Sequence, residues 1–286
     1  MMHKGRMAAD DMAVSEVKLG KKLMLIGTVE RDIIIEPDPE DLPDVFNDMD
    51  VDYSGDTSGK TVRTADNLML LQQRIASVEV TLINEVRPSK KLIVFDLDYT
   101  LYDCGKKSRQ AAGAAINLLK RPGADDMLTQ LYAGGYDIVI WSATHWKWVE
   151  MKLTDLGMLT HPSYKILSVL DRSAMFRLGG ADAKGKKGAH EVKPLEFVWQ
   201  KVGGGVFSAA NTIHIDDLSR NFAMNPGEGL KCSQYKLEGK MDGREADTEL
   251  FPMTKYLLEI AAEVPDWRVL DHSKWKDGLE AAGHKR

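Results

Sequence analysis

The chain has 286 residues, of which 43% are hydrophobic and 28% are charged, and its formal net charge is -5 at pH 7. This composition is typical of a globular protein and gives no reason to expect a nucleic-acid partner or an anionic membrane as a binding surface. The longest apolar runs are far too short to span a bilayer. The two cysteines, Cys104 and Cys232, are far apart, which argues against a disulfide scaffold and favours a reducing compartment, the nucleus or the cytoplasm.

The N-terminal part of the chain divides into two stretches of different character. Residues 1–30 contain one short apolar strand pattern, KKLMLIGTVE at 21–30, and a lone strand is not stable by itself. This stretch is therefore expected either to be the remnant of a larger module or to dock on the main domain. Residues 31–65 are strongly acidic and contain prolines at 37, 39 and 43, which predicts a disordered linker because like charges repel.

From residue 66 onward, helix patterns and buried-strand patterns alternate. The predicted helices cover 66–78, 122–133, 144–156, 195–202 and 252–262, and the predicted strands cover 78–83, 91–95, 137–141, 164–170 and 212–215. Because helices separate the apolar strands, the pattern predicts an α/β fold with a parallel sheet covered by helices on both faces. The basic insertion GGADAKGKKG at 179–188 is interpreted as a solvated loop, with a substrate-binding loop as the alternative.

Two carboxylates follow the buried strand KLIVF, in the segment Asp96-Leu97-Asp98-Tyr99-Thr100. Ligands of open parallel sheets sit beyond the carboxyl ends of the strands, and residues two apart in an extended segment point the same way. Clustered carboxylates repel each other, and a hard cation such as Mg²⁺ relieves that repulsion and brings in a phosphate. Asp96 can then attack phosphorus while Asp98 exchanges protons, and the Thr100 hydroxyl can orient Asp98 or the loop. The alternative is a pair of aspartates that form a turn.

Three later positions could complete such a site. Ser142 follows the strand YDIVIW, and its hydroxyl can donate to a phosphoryl oxygen or cap the next helix. Lys193, in EVKPL, can neutralise charge on a phosphate, although a surface lysine would fit the same segment. Asp216 and Asp217 follow the strand TIHI, where a carboxylate pair is costly unless it is paired, bound to metal or held in a turn. Together, the four strand ends favour one shared site for a metal and a phosphate.

The order DLDYT, WSA, VKP and DD resembles the haloacid-dehalogenase phosphatases that act on the C-terminal domain of RNA polymerase II. The chain is most similar to the members that begin with a ubiquitin-like domain and act at the proteasome. The blocks KKLIVFDLDYTLYD, YDIVIWSATHWKWVEMKLTDLGM, VKPLEFVW and NTIHIDDLSRNFAMNPGEGLK carry the resemblance, which spans about residues 66–275. It implies a Rossmann-like parallel sheet of the haloacid-dehalogenase type, without a large cap domain.

Position by position, the resemblance also implies roles for the site residues. Asp96 would be the nucleophile, and Asp98 would be the general acid and base with its backbone carbonyl on Mg²⁺. The implied metal ligands are Asp96, Asp98, Asp216 and Asp217, and the implied phosphate-binding residues are Thr100, Ser142 and Lys193. The implied substrate is a phosphoserine or phosphothreonine segment of a protein, because an open site admits a peptide. The implied partner is the regulatory particle of the proteasome, and the implied location is the nucleus.

The same resemblance predicts the domain organisation. Only residues 17–30 resemble the end of a ubiquitin-like domain, so residues 1–30 are interpreted as a remnant from which most of that domain is missing. Residues 31–65 are the acidic linker, 66–275 the phosphatase domain and 276–286 a flexible tail. Two alternative functions remain open at this point. A small-molecule phosphatase of the same superfamily would need a bulky lid, which the short stretch 102–121 disfavours, and a non-catalytic module that binds the proteasome would not need Asp96.

Overall fold

The structure, a computed structural model, describes residues 2–3, 6–7, 62–89, 91–113, 115–178 and 190–283. At the N-terminus, strand β1 (Met2–His3) pairs antiparallel with strand β2 (Arg6–Met7). Apart from that pair, the predicted remnant at 1–30 lies outside the described residues. Nearly all of the predicted linker at 31–65 and the whole insertion at 179–188 also lie outside them.

A five-stranded parallel sheet forms the centre of the fold, in the order β5-β4-β3-β8-β9. Its strands are β3 (Lys91–Phe95), β4 (Tyr136–Trp141), β5 (Ile166–Leu170), β8 (Thr212–Asp216) and β9 (Gly229–Lys231). The first four confirm the predicted strands to within two residues at each end, whereas the short edge strand β9 was not predicted. A separate antiparallel ribbon pairs β6 (Phe176–Arg177) with β7 (Glu191–Val192).

Within the described residues, seven α-helices accompany the central sheet. They are α1 (Ala65–Ser77), α2 (Lys106–Ala112), α3 (Ala124–Ala133), α4 (Trp146–Asp155), α5 (Leu195–Lys201), α6 (Leu250–Lys255) and α7 (Trp275–Ala281). Five of them confirm predicted helices, and α6 continues as a wider turn through Ile260. The predicted strand at 78–83 is wrong, because this segment makes only one isolated bridge, from Leu82 to Ser168 at the edge of the sheet.

Both faces of the sheet are buried, because its side chains alternate between two hydrophobic clusters. In β3, Ile93 and Phe95 face one cluster, while Leu92 and Val94 face the other. Helices α3, α4, α6 and α7 contribute apolar side chains to the first cluster, and α1 and α5 contribute to the second. This two-sided burial explains why the strands are apolar runs and confirms the predicted α/β architecture.

The C-terminal helix corrects the predicted tail. Trp275 and Leu279 are four residues apart, lie on one face of α7, and are both buried in the first hydrophobic cluster. The Lys276 ammonium also donates to Glu249 Oε1 at 3.1 Å. Residues 276–281 therefore belong to the folded domain rather than to a flexible tail.

The strand order places a crevice at the carboxyl end of β3. The chain leaves β3 towards β4 on one side and later returns to β8 on the other, and such a switch point is the usual ligand site of an open α/β sheet. Among the described residues, the short helix α2, one 3-10 turn and α3 lie between β3 and β4.

In the part of the chain that the structure describes, no helix is long and apolar enough to cross a membrane.

Candidate active site

Four strand ends bring the predicted residues to one place. Asp96 follows β3 directly, Ser142 follows β4, and Asp216 is the last residue of β8. Lys193 follows β7, so a short ribbon outside the main sheet delivers it. Because parallel strands end at the same edge of a sheet, residues far apart in sequence meet here, and the predicted juxtaposition of Asp96 with Asp216 and Asp217 is observed.

The centre of the site is an acidic cluster with one ammonium group. Carboxylate oxygens of Asp96, Asp216 and Asp217 lie within 4.8 Å of one another, and all three residues are buried. The Lys193 ammonium is fully buried, forms an ion pair with Asp96 Oδ1, and lies 2.7 Å from Asp216 Oδ2. With every group ionised, the cluster would carry two net negative charges, which a divalent cation would balance.

The protonation of the cluster follows from this imbalance. Burial by itself would raise the pKa of Asp216, but the Lys193 ammonium lowers it overall. Burial would lower the pKa of Lys193, and Asp216 and Asp96 together raise it instead. Burial raises the pKa of Asp96 well above its usual value, against the opposing effect of Lys193. Burial and then repulsion from Asp216 raise the pKa of Asp217 to about 7. Lys193 thus compensates for one carboxylate, and the other two remain without a full counter-charge.

The three carboxylates are not equivalent as metal ligands. Asp216 accepts hydrogen bonds at both oxygens, from Leu218 N at 2.8 Å and from Lys193 and Asn221 at 2.7 and 2.8 Å. In contrast, Asp96 Oδ2 is buried and has no hydrogen-bond partner among the described residues. A buried oxygen without a donor is costly, and a cation removes that cost. The residues present therefore fit a divalent cation held by Asp96 and Asp217, with Asp216 holding Lys193 and Asn221.

We expect the contribution of Asp217 to the free energy of unfolding of the metal-free protein to fall as the pH rises from about 5 to about 8. The pKa of Asp217 is about 7 in the folded state, above its ordinary 3.8. Between these values Asp217 holds a proton in the folded state and not in the unfolded state, so its contribution to stability decreases with pH. A divalent cation binds the ionised carboxylates and should stabilise the fold more at pH 8 than at pH 5.

Thermal melting across this pH range, with and without added Mg²⁺, measures the effect. The Asp217→Asn variant isolates the effect, because its side chain does not ionise, so the melting temperature of the wild type relative to the variant should fall from pH 5 to pH 8. A difference between the two proteins that is constant or rises with pH would show that Asp217 does not hold this proton.

Asp98 lies beside the acidic cluster but has different partners. Its Oδ2 accepts a hydrogen bond from Ser142 Oγ at 2.8 Å, and its Oδ1 lies 2.5 Å from the Lys152 ammonium. Burial would raise the pKa of Asp98, but Lys152 and the hydrogen bond from Ser142 lower it overall. Ser142 Oγ also accepts from Thr144 N at 3.1 Å. The predicted hydroxyl is therefore in the site, where it contacts the second aspartate of the motif.

Thr100 lies beside the acidic cluster, and its role in phosphate binding stays a prediction. Its side chain is fully buried, and its hydroxyl lies 3.5 Å from Asp217 Oδ1, so it orients a carboxylate of the cluster rather than Asp98. The buried Arg121 supports the same loop, since its guanidinium donates to the Thr100 carbonyl at 3.2 Å and forms ion pairs with Asp247 and Glu249. Thr100 and Arg121 thus fix the position of the loop at residues 96–100, which carries Asp96 and Asp98.

The loop also contains a strained residue. Tyr99 has a φ of 61°, in the left-handed region that residues with a side chain adopt at a cost of roughly 1–2 kcal/mol. Two backbone hydrogen bonds of 2.7 Å hold it there, from Tyr99 N to the Tyr102 carbonyl and from Tyr235 N to the Tyr99 carbonyl. The Lys236 ammonium lies 4.7 Å from the centre of the Tyr99 ring. Strain of this kind concentrates at functional sites, and here it sets the turn between Asp98 and Thr100.

Several residues of the site were not predicted from the sequence. Lys152 contacts Asp98, Gln234 donates to Asp217 Oδ2 at 2.8 Å, and Asn221 donates to Asp216 Oδ2. Nothing in the sequence distinguishes Lys152 from the exposed Lys147 on the same helix. Asn221 follows the aspartate pair closely in DDLSRN, so a search for polar residues just after each strand would have found it.

Comparisons with known proteins agree with this site. The family model for NLI interacting factor-like phosphatases matches residues 91–268. The proteins named ubiquitin-like domain-containing CTD phosphatase 1 from Gallus gallus and Homo sapiens are each 37% identical over 277 residues, covering 96% of this chain and 81% of the relative. The ubiquitin-like domain-containing CTD phosphatase of Arabidopsis thaliana is 37% identical over 275 residues, covering 95% and 75%. The chain therefore belongs to the NLI interacting factor-like phosphatase family and is a protein phosphatase.

Proposed function

We propose that this phosphatase removes phosphate from phosphoserine and phosphothreonine residues of proteins through an aspartyl-phosphate intermediate at Asp96. The observation that carries the proposal is the state of the Asp96 carboxylate. Lys193 holds Oδ1, whereas Oδ2 is buried and accepts no hydrogen bond from the described residues. The carboxylate is thus held at one oxygen and open at the other, which leaves Asp96 able both to bind a cation and to attack phosphorus.

The proposed cofactor is Mg²⁺, held by the carboxylates of Asp96 and Asp217 and, as the family resemblance implies, by the backbone carbonyl of Asp98. Oxygen ligands and the net negative charge of the cluster support this choice, because Mg²⁺ prefers carboxylate and phosphate oxygens. When bound, the ion would offset the repulsion between the phosphate and the carboxylates and polarise the phosphoryl oxygens. The Lys193 ammonium adds a second positive charge beside Asp96, aimed at the same phosphoryl group.

In the first half-reaction, the Asp96 carboxylate forms a bond to phosphorus while the bond from phosphorus to the serine oxygen breaks. The resting contacts with Lys152 and Ser142 keep Asp98 ionised. The approach of an anionic phosphate raises the proton affinity of Asp98, because like charges oppose ionisation, and Asp98 takes up a proton from solvent. Asp98 then donates that proton to the departing oxygen, so serine leaves as a neutral alcohol. Ser142 can then direct its hydroxyl to a phosphoryl oxygen.

In the second half-reaction, Asp98 accepts a proton from a water molecule that attacks the phosphorus of the aspartyl phosphate. The bond from phosphorus to the Asp96 oxygen breaks, inorganic phosphate leaves, and the Asp96 carboxylate is regenerated. The resting state of Asp98 suits this step, since an ionised carboxylate is the form that acts as a base. Lys152 stabilises that form until the proton arrives.

Replacement of Lys152 by methionine is expected to move the alkaline limb of the pH profile of kcat/KM to higher pH. The first half-reaction needs a protonated Asp98, and the Lys152 ammonium at 2.5 Å favours the ionised form. Without that charge the pKa of Asp98 rises, and Asp98 stays protonated at higher pH. Phosphoserine-peptide hydrolysis between pH 5 and pH 9 measures the shift. Lys147→Met on the same helix is the control, and an unchanged limb in Lys152→Met would refute the assigned role of Asp98.

The names of the relatives and the family resemblance suggest the substrates and the location. The relatives are named as CTD phosphatases, and we propose phosphosites of the RNA polymerase II C-terminal domain as one class of substrate. Phosphosites on the proteasome regulatory particle are a second class, and the nucleus is the proposed location. Both follow from the family resemblance to members that act at the proteasome.

The direct test is release of phosphate from a phosphoserine peptide in the presence of Mg²⁺ and after chelation. The expected result is rapid, metal-dependent turnover of the peptide and slow turnover of a sugar phosphate. Preferential hydrolysis of the sugar phosphate would favour a small-molecule phosphatase instead. Equal phosphate release by the wild type and by Asp96→Asn would refute the aspartyl-phosphate mechanism.

A further inference from the structure

A groove with a volume of about 550 Å³ lies at the outer edge of the sheet, beside the active site. One wall is the segment 78–83, the other is the face of α4 that carries Trp146 and Glu150, and the carboxyl end of β5 closes one side. Its floor is formed by the buried side chains of Leu153 and Leu170. We call it the α4 groove.

The α4 groove combines an apolar floor with an acidic rim. The charged residues among the described ones that line it are Glu79, Glu150 and Asp171, and none of these described lining residues is basic. Asp171 accepts hydrogen bonds from Trp146 N and Ser173 N. Of the basic side chains nearby, Arg172 pairs with Glu191 at 2.7 Å, and the Lys201 ammonium lies 3.9 Å from Glu79. An apolar side chain flanked by lysine or arginine is the chemistry that complements this surface.

The α4 groove is joined directly to the end of β4 and to the loop that carries Ser142. Arg172 N donates to the Thr144 carbonyl at 3.1 Å, and Trp141 Nε1 donates to the Asp171 carbonyl at 3.3 Å. Strand β5 is two strands away from β3, and neighbouring strands lie about 4.8 Å apart, so the groove starts roughly 10 Å from Asp96 along the same edge. An extended polypeptide advances about 3.3 Å per residue, so about three residues cover that distance.

We propose that the α4 groove binds the substrate polypeptide beside the phosphorylated residue, and that it selects an apolar residue next to a lysine or arginine about three positions away. This inference rests on the proposed function and adds to it the class of sequence that the phosphatase prefers. The apolar side chain is buried against Leu153 and Trp146, and the basic neighbour faces Glu150. The acidic stretch 31–60 of this chain does not complement the rim, because its charge has the same sign.

Phosphoserine peptides that differ only at the flanking positions test the proposal. One set carries Leu-Lys two to four residues before or after the phosphoserine, and the matched set carries Ala-Glu at the same positions. For the wild type, kcat/KM should be about tenfold higher for the Leu-Lys peptide on one side. Trp146→Ala and Glu150→Lys should lose that preference, while hydrolysis of p-nitrophenyl phosphate, which is too small to reach the groove, stays unchanged.

The two exposed positions Trp146 and Glu150 can be altered without disturbing the core. Asp155→Lys reverses a charge on the same helix outside the groove and should retain the preference. Equal kcat/KM for all peptides in the wild type, or a preference that survives in both groove variants, would overturn the inference while leaving the mechanism intact. If p-nitrophenyl phosphate and all peptides are hydrolysed no faster than by Asp96→Asn, the proposed function fails and this inference fails with it.

Discussion

Exchange of Asp96 for asparagine is expected to lower phosphatase turnover by at least about 10⁴-fold, the usual consequence of removing a catalytic nucleophile. The amide cannot form the aspartyl phosphate, although it keeps the size of the carboxylate and can still accept a hydrogen bond from Lys193. The melting temperature of the metal-free variant at neutral pH is expected not to fall. Burial and neighbouring carboxylates hold the pKa of Asp96 well above its usual value, so its ionised form is unfavourable in the fold.

Loss of turnover without loss of stability is the result that identifies a nucleophile. Phosphate release and thermal melting of the same preparation measure both quantities, and mass spectrometry of rapidly quenched wild type should find a phosphate on the Asp96 peptide. Asp155→Asn, an exposed aspartate on α4, is the matched control and should retain full activity. A variant at position 96 that keeps even a few per cent of turnover would assign the nucleophile elsewhere.

Replacement of Lys193 by methionine is expected to reduce both activity and stability. The ammonium is fully buried and is the charged partner of both Asp96 and Asp216. Its removal leaves buried carboxylates uncompensated, and breaking a buried ion pair in this way typically costs about 3–5 kcal/mol in the free energy of unfolding. Turnover should fall by about 10²-fold to 10³-fold, because the phosphoryl group loses a preorganised positive charge.

A double variant separates the two effects of Lys193. In Lys193→Met with Asp216→Asn the uncompensated charge is removed, so much of the free energy of unfolding should return while turnover stays low. Lys201→Met in the neighbouring helix α5 is the control, because its ammonium is 3.9 Å from an exposed Glu79 carboxylate and contributes little. Denaturant unfolding at fixed pH measures the stabilities. An unfolding free energy that is the same in Lys193→Met and in the wild type would show that the cluster does not depend on this ammonium.

The sheet and its helices were largely predictable because their signals are local. Apolar runs such as KLIVF and YDIVIW form strands because both faces of the sheet are covered, and each run ends where polar residues begin. The exceptions have equally physical causes. The segment 78–83 has a strand-like composition but meets the edge of β5 at only one bridge. Helix α7 is polar overall, and its buried pair Trp275 and Leu279 anchors it in the core.

The sequence by itself determined which residue types stand at the strand ends, and the parallel topology made Asp96, Ser142 and Asp217 neighbours. Only the tertiary structure decided the pairing inside the site. Lys193 arrives on a separate ribbon, Lys152 reaches Asp98 from the second turn of α4, and Thr100 turns towards Asp217. These contacts join residues that are between 54 and 117 positions apart. Local periodicity reports which side chains are buried, whereas the partner of a buried charge depends on how distant elements pack.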